Sequence, residues 1–100
     1  MSTSRTEVKP ALAREVQVTD DALTVHLADG RTLSVPLGWY PRLQHGTPEE
    51  RADWRLIGNG EGIHWAQLDE DISVEGLLEG RRSGESPTSL DRWLRDRRRS

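Results

Sequence analysis

The chain has 100 residues, 33% of them hydrophobic, which fits one domain and leaves little room for a second. It has no cysteine, so disulfide frameworks, thiolate metal sites and thiol catalysis are excluded, and no apolar run approaches a membrane span. The net charge of −3 conceals a division: residues 1–80 hold 7 basic and 14 acidic residues, a balance of −7, whereas residues 81–100 hold 7 arginines and 3 acids, a balance of +4.

The first residues, MSTSRTEVKP, are polar and lack a signal-peptide core, so residues 1–13 are expected to be disordered and the protein cytoplasmic. From Glu15 the apolar residues alternate through Val16 and Val18, Leu23, Val25 and Leu27, then Leu33, Val35 and Leu37. That period belongs to half-buried strands, and the clusters Thr19-Asp20-Asp21 and Ala28-Asp29-Gly30 between the runs are turn formers, so the spacing predicts an antiparallel meander. Pro36 closes it. Thr47-Pro48-Glu49-Glu50 is a capping box, predicting a short helix running to about Asp53.

Trp54–Ile57 and Ile63–Trp65 then read as the strands of a second hairpin around Gly58-Asn59-Gly60-Glu61-Gly62. The glycines do not have the spacing of a nucleotide loop, and no helix follows them. Ser73 is placed to cap a helix over residues 74–79. After a polar linker over residues 81–85, Ser86-Pro87 opens a last helix whose Leu90, Trp93 and Leu94 share a face, with Asp91 and Arg95 spaced to pair. The expected architecture is α+β: a small antiparallel meander and a second hairpin with two or three short helices over residues 14–80. Residues 81–100 follow as a linker and an amphipathic helix that packs on the domain or on a partner.

Three chemical readings deserve a test. Asp69, Asp71, Ser73 and Glu75 start like a calcium loop, but Val74 stands where the sharp turn needs glycine and Gly80 where the bidentate glutamate belongs. The bland reading is an acidic connector. His64 near Asp69 resembles a base oriented by a carboxylate, yet no nucleophile motif and no paired-histidine metal motif accompanies it, so a strand histidine bonded to a neighbouring carboxylate or a backbone carbonyl is the simpler reading. Arg95, Arg97, Arg98 and Arg99 would suit backbone phosphates and equally suit the negative end of a helix dipole.

A resemblance covers nearly the whole chain. Asp29-Gly30-Arg31, Val35-Pro36-Leu37, Pro41-Arg42-Leu43 and Trp54-Arg55-Leu56-Ile57-Gly58 lead into Gly60-Glu61-Gly62-Ile63-His64-Trp65, followed by Leu68-Asp69-Glu70-Asp71-Ile72-Ser73-Val74-Glu75-Gly76-Leu77-Leu78. This GIHW and LDEDIS signature resembles the bacterial domain-of-unknown-function family 2442. The resemblance implies a compact α+β domain and an antitoxin-like role beside small toxins of the RelE/ParE type; it carries no catalytic residues.

The expected function is therefore a non-enzymatic module that neutralises a small basic partner and needs no cofactor or metal. The candidate contact residues are Arg42, His64, Trp65, Asp69, Glu70, Asp71, Glu75 and Trp93, with the four carboxylates acting as phosphate mimics. The alternative is a nucleic-acid-binding regulator that uses Arg95, Arg97, Arg98 and Arg99, and a homodimer is compatible with either.

Overall fold

The alternation over residues 15–37 becomes a three-stranded antiparallel sheet in the order β1 (Ala13–Val18), β2 (Ala22–Leu27), β3 (Thr32–Pro36). The computed structural model describes the backbone of residues 11–99 and the side chains of residues 11–98; of the N-terminal segment expected to be disordered, residues 1–10 lie outside the described residues. Val16, Val25 and Leu33 stand in one cross-strand row and Val18, Leu23 and Val35 in the next. These rows face the core, while the other face pairs Thr24 with Ser34 and His26 with Thr32 through side-chain hydrogen bonds. A register shift between Ala13 and Glu15 turns Ala13 inward beside Val16.

The chain leaves β3 through a single 3-10 turn, Leu37–Trp39, into two helices of about one turn each, α1 (Pro41–Gln44) and α2 (Pro48–Ala52). Both begin with proline. The Thr47 hydroxyl accepts from Glu50 N while the Glu50 carboxylate accepts from Thr47 N, the reciprocal capping box read from the sequence.

A second antiparallel sheet follows in the order β4 (Trp54–Ile57), β5 (Gly62–Trp65), β6 (Glu70–Ser73), so the expected second hairpin gains a third strand. Its first turn needs left-handed backbone at Gly58, Asn59 and Gly60, with φ of 59°, 59° and 106°. Gly60 has a further reason to be glycine: a Cβ there would lie 2.5 Å from the Ala13 carbonyl oxygen, where this turn crosses the start of β1. Ser73 caps α3 (Val74–Leu78) by accepting from Gly76 N, and α4 (Pro87–Arg99) ends the described chain. No described helix is long and apolar enough to cross a membrane.

The core lies between the sheets and under the short helices, built from Leu23, Val25, Leu37, Leu43, Ile63, Trp65, Leu68 and Val74 with their neighbours. Trp65 is its largest fully buried side chain. The indole N–H donates to Arg51 O at 3.0 Å, satisfying its polar edge. Arg51 is itself buried: Nε and Nη2 donate to the Leu43 and Gln44 carbonyls and Nη1 to Asp20, tying α2, the end of α1 and the β1–β2 turn together.

Candidate functional site

Register in the second sheet decides which residues reach the surface. Trp54, Trp65 and Glu70 form one inward row and Leu56, Ile63 and Ile72 another; the outward rows are Arg55, His64, Asp71 and Ile57, Gly62, Ser73. The acidic run Asp69-Glu70-Asp71 is thus divided by the pleat instead of forming one patch. Asp69 sits in the preceding turn with φ 51°, Glu70 points inward, and Asp71 points out.

The outer face carries an open cleft of about 630 Å³ lined by Ala11, Ile57, Gly58, Glu61, Gly62, Asp71, Ile72, Ser73 and Glu75. Its floor is apolar because Ile57 lies across Gly62, where a Cβ would come within 2.9 Å of Ile57 Cγ1. Ile57 and Leu78 are the exposed large hydrophobic residues of the described chain. Leu78 shares the outward side of α3 with Glu75 by its spacing of three. Glu61 from the hairpin turn, Asp71 from β6 and Glu75 from α3 rim the cleft, and neither Glu61 nor Glu75 has an ion-pair partner among the described residues.

His64 and Asp71 are directly opposed across β5 and β6, and His64 Nδ1 hydrogen-bonds Asp71 Oδ1. The carboxylate partner of His64 is therefore Asp71, and the imidazole is the bonded strand histidine of the simpler reading. Neither hydroxyl nor amine completes a nucleophile–base pair with it among the described residues, and no group of three His, Asp or Glu there could hold a metal ion. What the face offers chemically is a fixed hydrogen-bonding row beside an acidic, apolar-floored cleft.

The other candidates fall elsewhere. Trp65 is 0% exposed and serves as the core anchor, so it has no surface to offer a partner. Arg42 holds Glu85 with two bonds, Nε–Oε1 at 2.6 Å and Nη2–Oε2 at 2.7 Å, and donates Nη1 to Asp69 O at 3.1 Å. It clamps the linker before α4 to the turn before β6. That linker is also held by Tyr40 Oη donating to Arg81 O at 2.8 Å and Ser83 N donating to Trp39 O at 3.0 Å. The Arg42 guanidinium keeps the Glu85 carboxyl below the usual carboxylate range.

Trp93 is half-buried against the core, with the guanidinium groups of Arg42 and Arg97 over its ring at 5.1 and 4.7 Å from the centroid. Arg97 also pairs with Glu50 through two bonds, at 3.1 and 2.8 Å, which hold the Glu50 carboxyl below its ordinary value. These contacts dock α4 on α1 and α2 in the same chain. Arg95 and Arg98 are exposed, as is Arg92, and Arg99 is the last helical residue. The Asp91–Arg95 pair suggested by the helical spacing is not formed.

Glu70 is the electrostatic anomaly. Its half-buried carboxyl lies beside Tyr40 in a cleft under the linker and has no hydrogen-bond donor among the described residues. Burial pushes its pKa up to about 7; Arg42 pulls the other way, and Glu85, Asp71 and Asp69 add to the rise. Its inward direction follows from the pleat of β6, which puts it on the same face as the core residue Ile72, and so corrects its expected place among the partner contacts. Glu61, by contrast, joins the site only because the hairpin turn folds over the sheet, which no spacing reveals.

The comparisons agree with this architecture. A protein of unknown function from Rhodospirillum rubrum superimposes with a TM-score of 0.67 at 24% identity, over 77% of this chain and 95% of that one, a likeness of fold alone. The uncharacterized protein CV0863 from Chromobacterium violaceum gives 0.63 at 27% identity, over 89% of this chain and 79% of that one. No curated protein matches the chain. The family described as "Protein of unknown function (DUF2442)" matches residues 13–83, from the first strand to the linker, and the chain belongs to that family.

Proposed function

We propose that the protein is a non-enzymatic binding module, antitoxin-like in role, that takes a small basic partner of the toxin type on the outer face of its second sheet. The supporting observation is the convergence of Glu61, Asp71 and Glu75, from three separate elements, around a cleft floored by the exposed Ile57. Apolar anchorage ringed by one sign of charge gives both contact area and steered association with a cationic surface. Asp71 and Glu75 stay in the contact set on this reading. Glu61 and Ile57 join them, while Glu70 and Trp65 support the face from behind.

The test compares the wild type with Glu61→Gln, Asp71→Asn, Glu75→Gln as bait in nuclease-treated host lysate, with Glu15→Gln, Glu49→Gln as a charge control on other surfaces. A stoichiometric small basic protein retained by the wild type and the control, and lost from the triple variant, supports the reading. Expressing that protein alone should then arrest growth, with rescue by the wild type only. Equal recovery by all three baits, or recovery of no basic protein, overturns it.

A further inference from the structure

The arginines of α4 do two different jobs. Arg97 turns inward, pairs with Glu50 and covers Trp93, whereas Arg92, Arg95 and Arg98 are exposed and have no ion pair among the described residues. Their spacing of three residues lays them along one ridge, about 4.5 Å apart along the axis and wound through roughly 120° of the helix surface. We propose that this outward face of α4 binds the phosphate backbone of double-stranded nucleic acid, with Arg92, Arg95 and Arg98 as the contacts.

Two further observations support that assignment. The helix is held in place before any ligand arrives by the Arg97–Glu50 pair, the Arg42 and Arg97 contacts over the Trp93 ring and the Arg42–Glu85 clamp, which lowers the ordering cost of binding. Trp93 packs against the core, and Leu90 and Leu94, which share its face by helical spacing, are half-buried, leaving an outward face without the free apolar stripe an interfacial membrane helix needs. The charge division sets the character of the contact: an acidic body repels phosphate, so binding is confined to the helix and is insensitive to base sequence.

The experiment is fluorescence anisotropy of a labelled duplex DNA of about 20 base pairs with the full chain, from roughly 25 to 200 mM salt. Three phosphate contacts predict a slope of log K against log salt of about −2.7. Arg92→Gln, Arg95→Gln, Arg98→Gln, which keeps good helix formers, should weaken binding at least about 10-fold at the lowest salt and flatten the slope. Retained helical circular dichroism shows that the variant is folded. The acidic-cleft triple variant should bind DNA at least as well as the wild type, which separates this surface from the proposed protein-binding face. Absence of binding at the lowest salt, wild-type binding by the folded arginine variant, or equal uptake by vesicles of anionic lipid overturns the proposal.

Discussion

Glu70→Gln should change how stability depends on pH, because glutamine copies the neutral form of a carboxyl group that the fold prefers neutral. The ordinary value of 4.5 holds in the unfolded chain, whereas burial lifts the group to about 7 in the native state. Below about pH 4.5 both states keep the proton. Between 4.5 and about 7 the unfolded chain releases it first, so the wild type loses stability as pH rises, and above 7 the loss is complete. A gap from 4.5 to about 7, at about 1.36 kcal/mol for each tenfold change in proton affinity, sets an upper bound near ~3.4 kcal/mol. Glu70 is only half-buried and water screens it, so about 1–2 kcal/mol is the reasonable expectation.

Urea unfolding followed by tryptophan fluorescence at several pH values from 4.5 to 8 reads this directly. The carboxyls of Glu50 and Glu85 are shifted the opposite way, so their contribution is full above 4.5 and is lost as pH falls below it. Both variants share that acid limb, and it cancels in the difference. The variant should match the wild type near pH 4.5 and exceed it by about 1–2 kcal/mol at pH 8. A difference that stays constant across the range, or that grows toward acid, would refute the reasoning.

Other perturbations separate backbone from side-chain effects. Gly60→Ala puts a methyl 2.5 Å from the Ala13 carbonyl as well as forcing alanine to φ 106°, and should cost more than about 3 kcal/mol; Gly30→Ala has φ 97° but open space and should cost only about 1 kcal/mol, so equal midpoints in urea would disprove the crossing argument. Trp65→Phe removes the donor to Arg51 O and leaves a gap in the core, for a loss of about 2–3 kcal/mol by thermal unfolding. Arg51→Met leaves the Leu43 and Gln44 carbonyls without their donors and should cost about 3 kcal/mol; a neutral result would mean water replaces the guanidinium.

Local features were legible where the physics is local. The alternation of the first sheet, the Thr47 capping box, the Ser73 cap and the left-handed turn before β5 each depend on neighbours within a few residues. Strand β6 was hidden because Glu70-Asp71-Ile72-Ser73 carries one apolar residue, and its pairing with β5 supplies what its own composition lacks. Helix α1 spans four residues, too few for a period to show. Burial of Arg51 and Trp65, and the placing of Glu61 beside Glu75, follow from contacts between segments distant in sequence, so they could be seen only once the sheets had packed.

The division of charge along the chain also decides how the two proposed surfaces influence each other. Neutralising Glu61, Asp71 and Glu75 removes three negative charges from a chain whose formal charge is −3, bringing it to about zero. At low salt that change should favour approach of a polyanion to α4 even though the cleft makes no contact with it. Near 0.1 M salt the Debye length is about 10 Å, and any influence across a longer distance fades. Removal of Arg92, Arg95 and Arg98 acts in the opposite sense, strengthening attraction of a basic partner to the cleft. The two triple variants therefore form a cycle: reciprocal effects that shrink together as salt is raised belong to the long-range field, whereas effects that persist at high salt show a short-range coupling, through a ligand that touches both surfaces or through the packing between them.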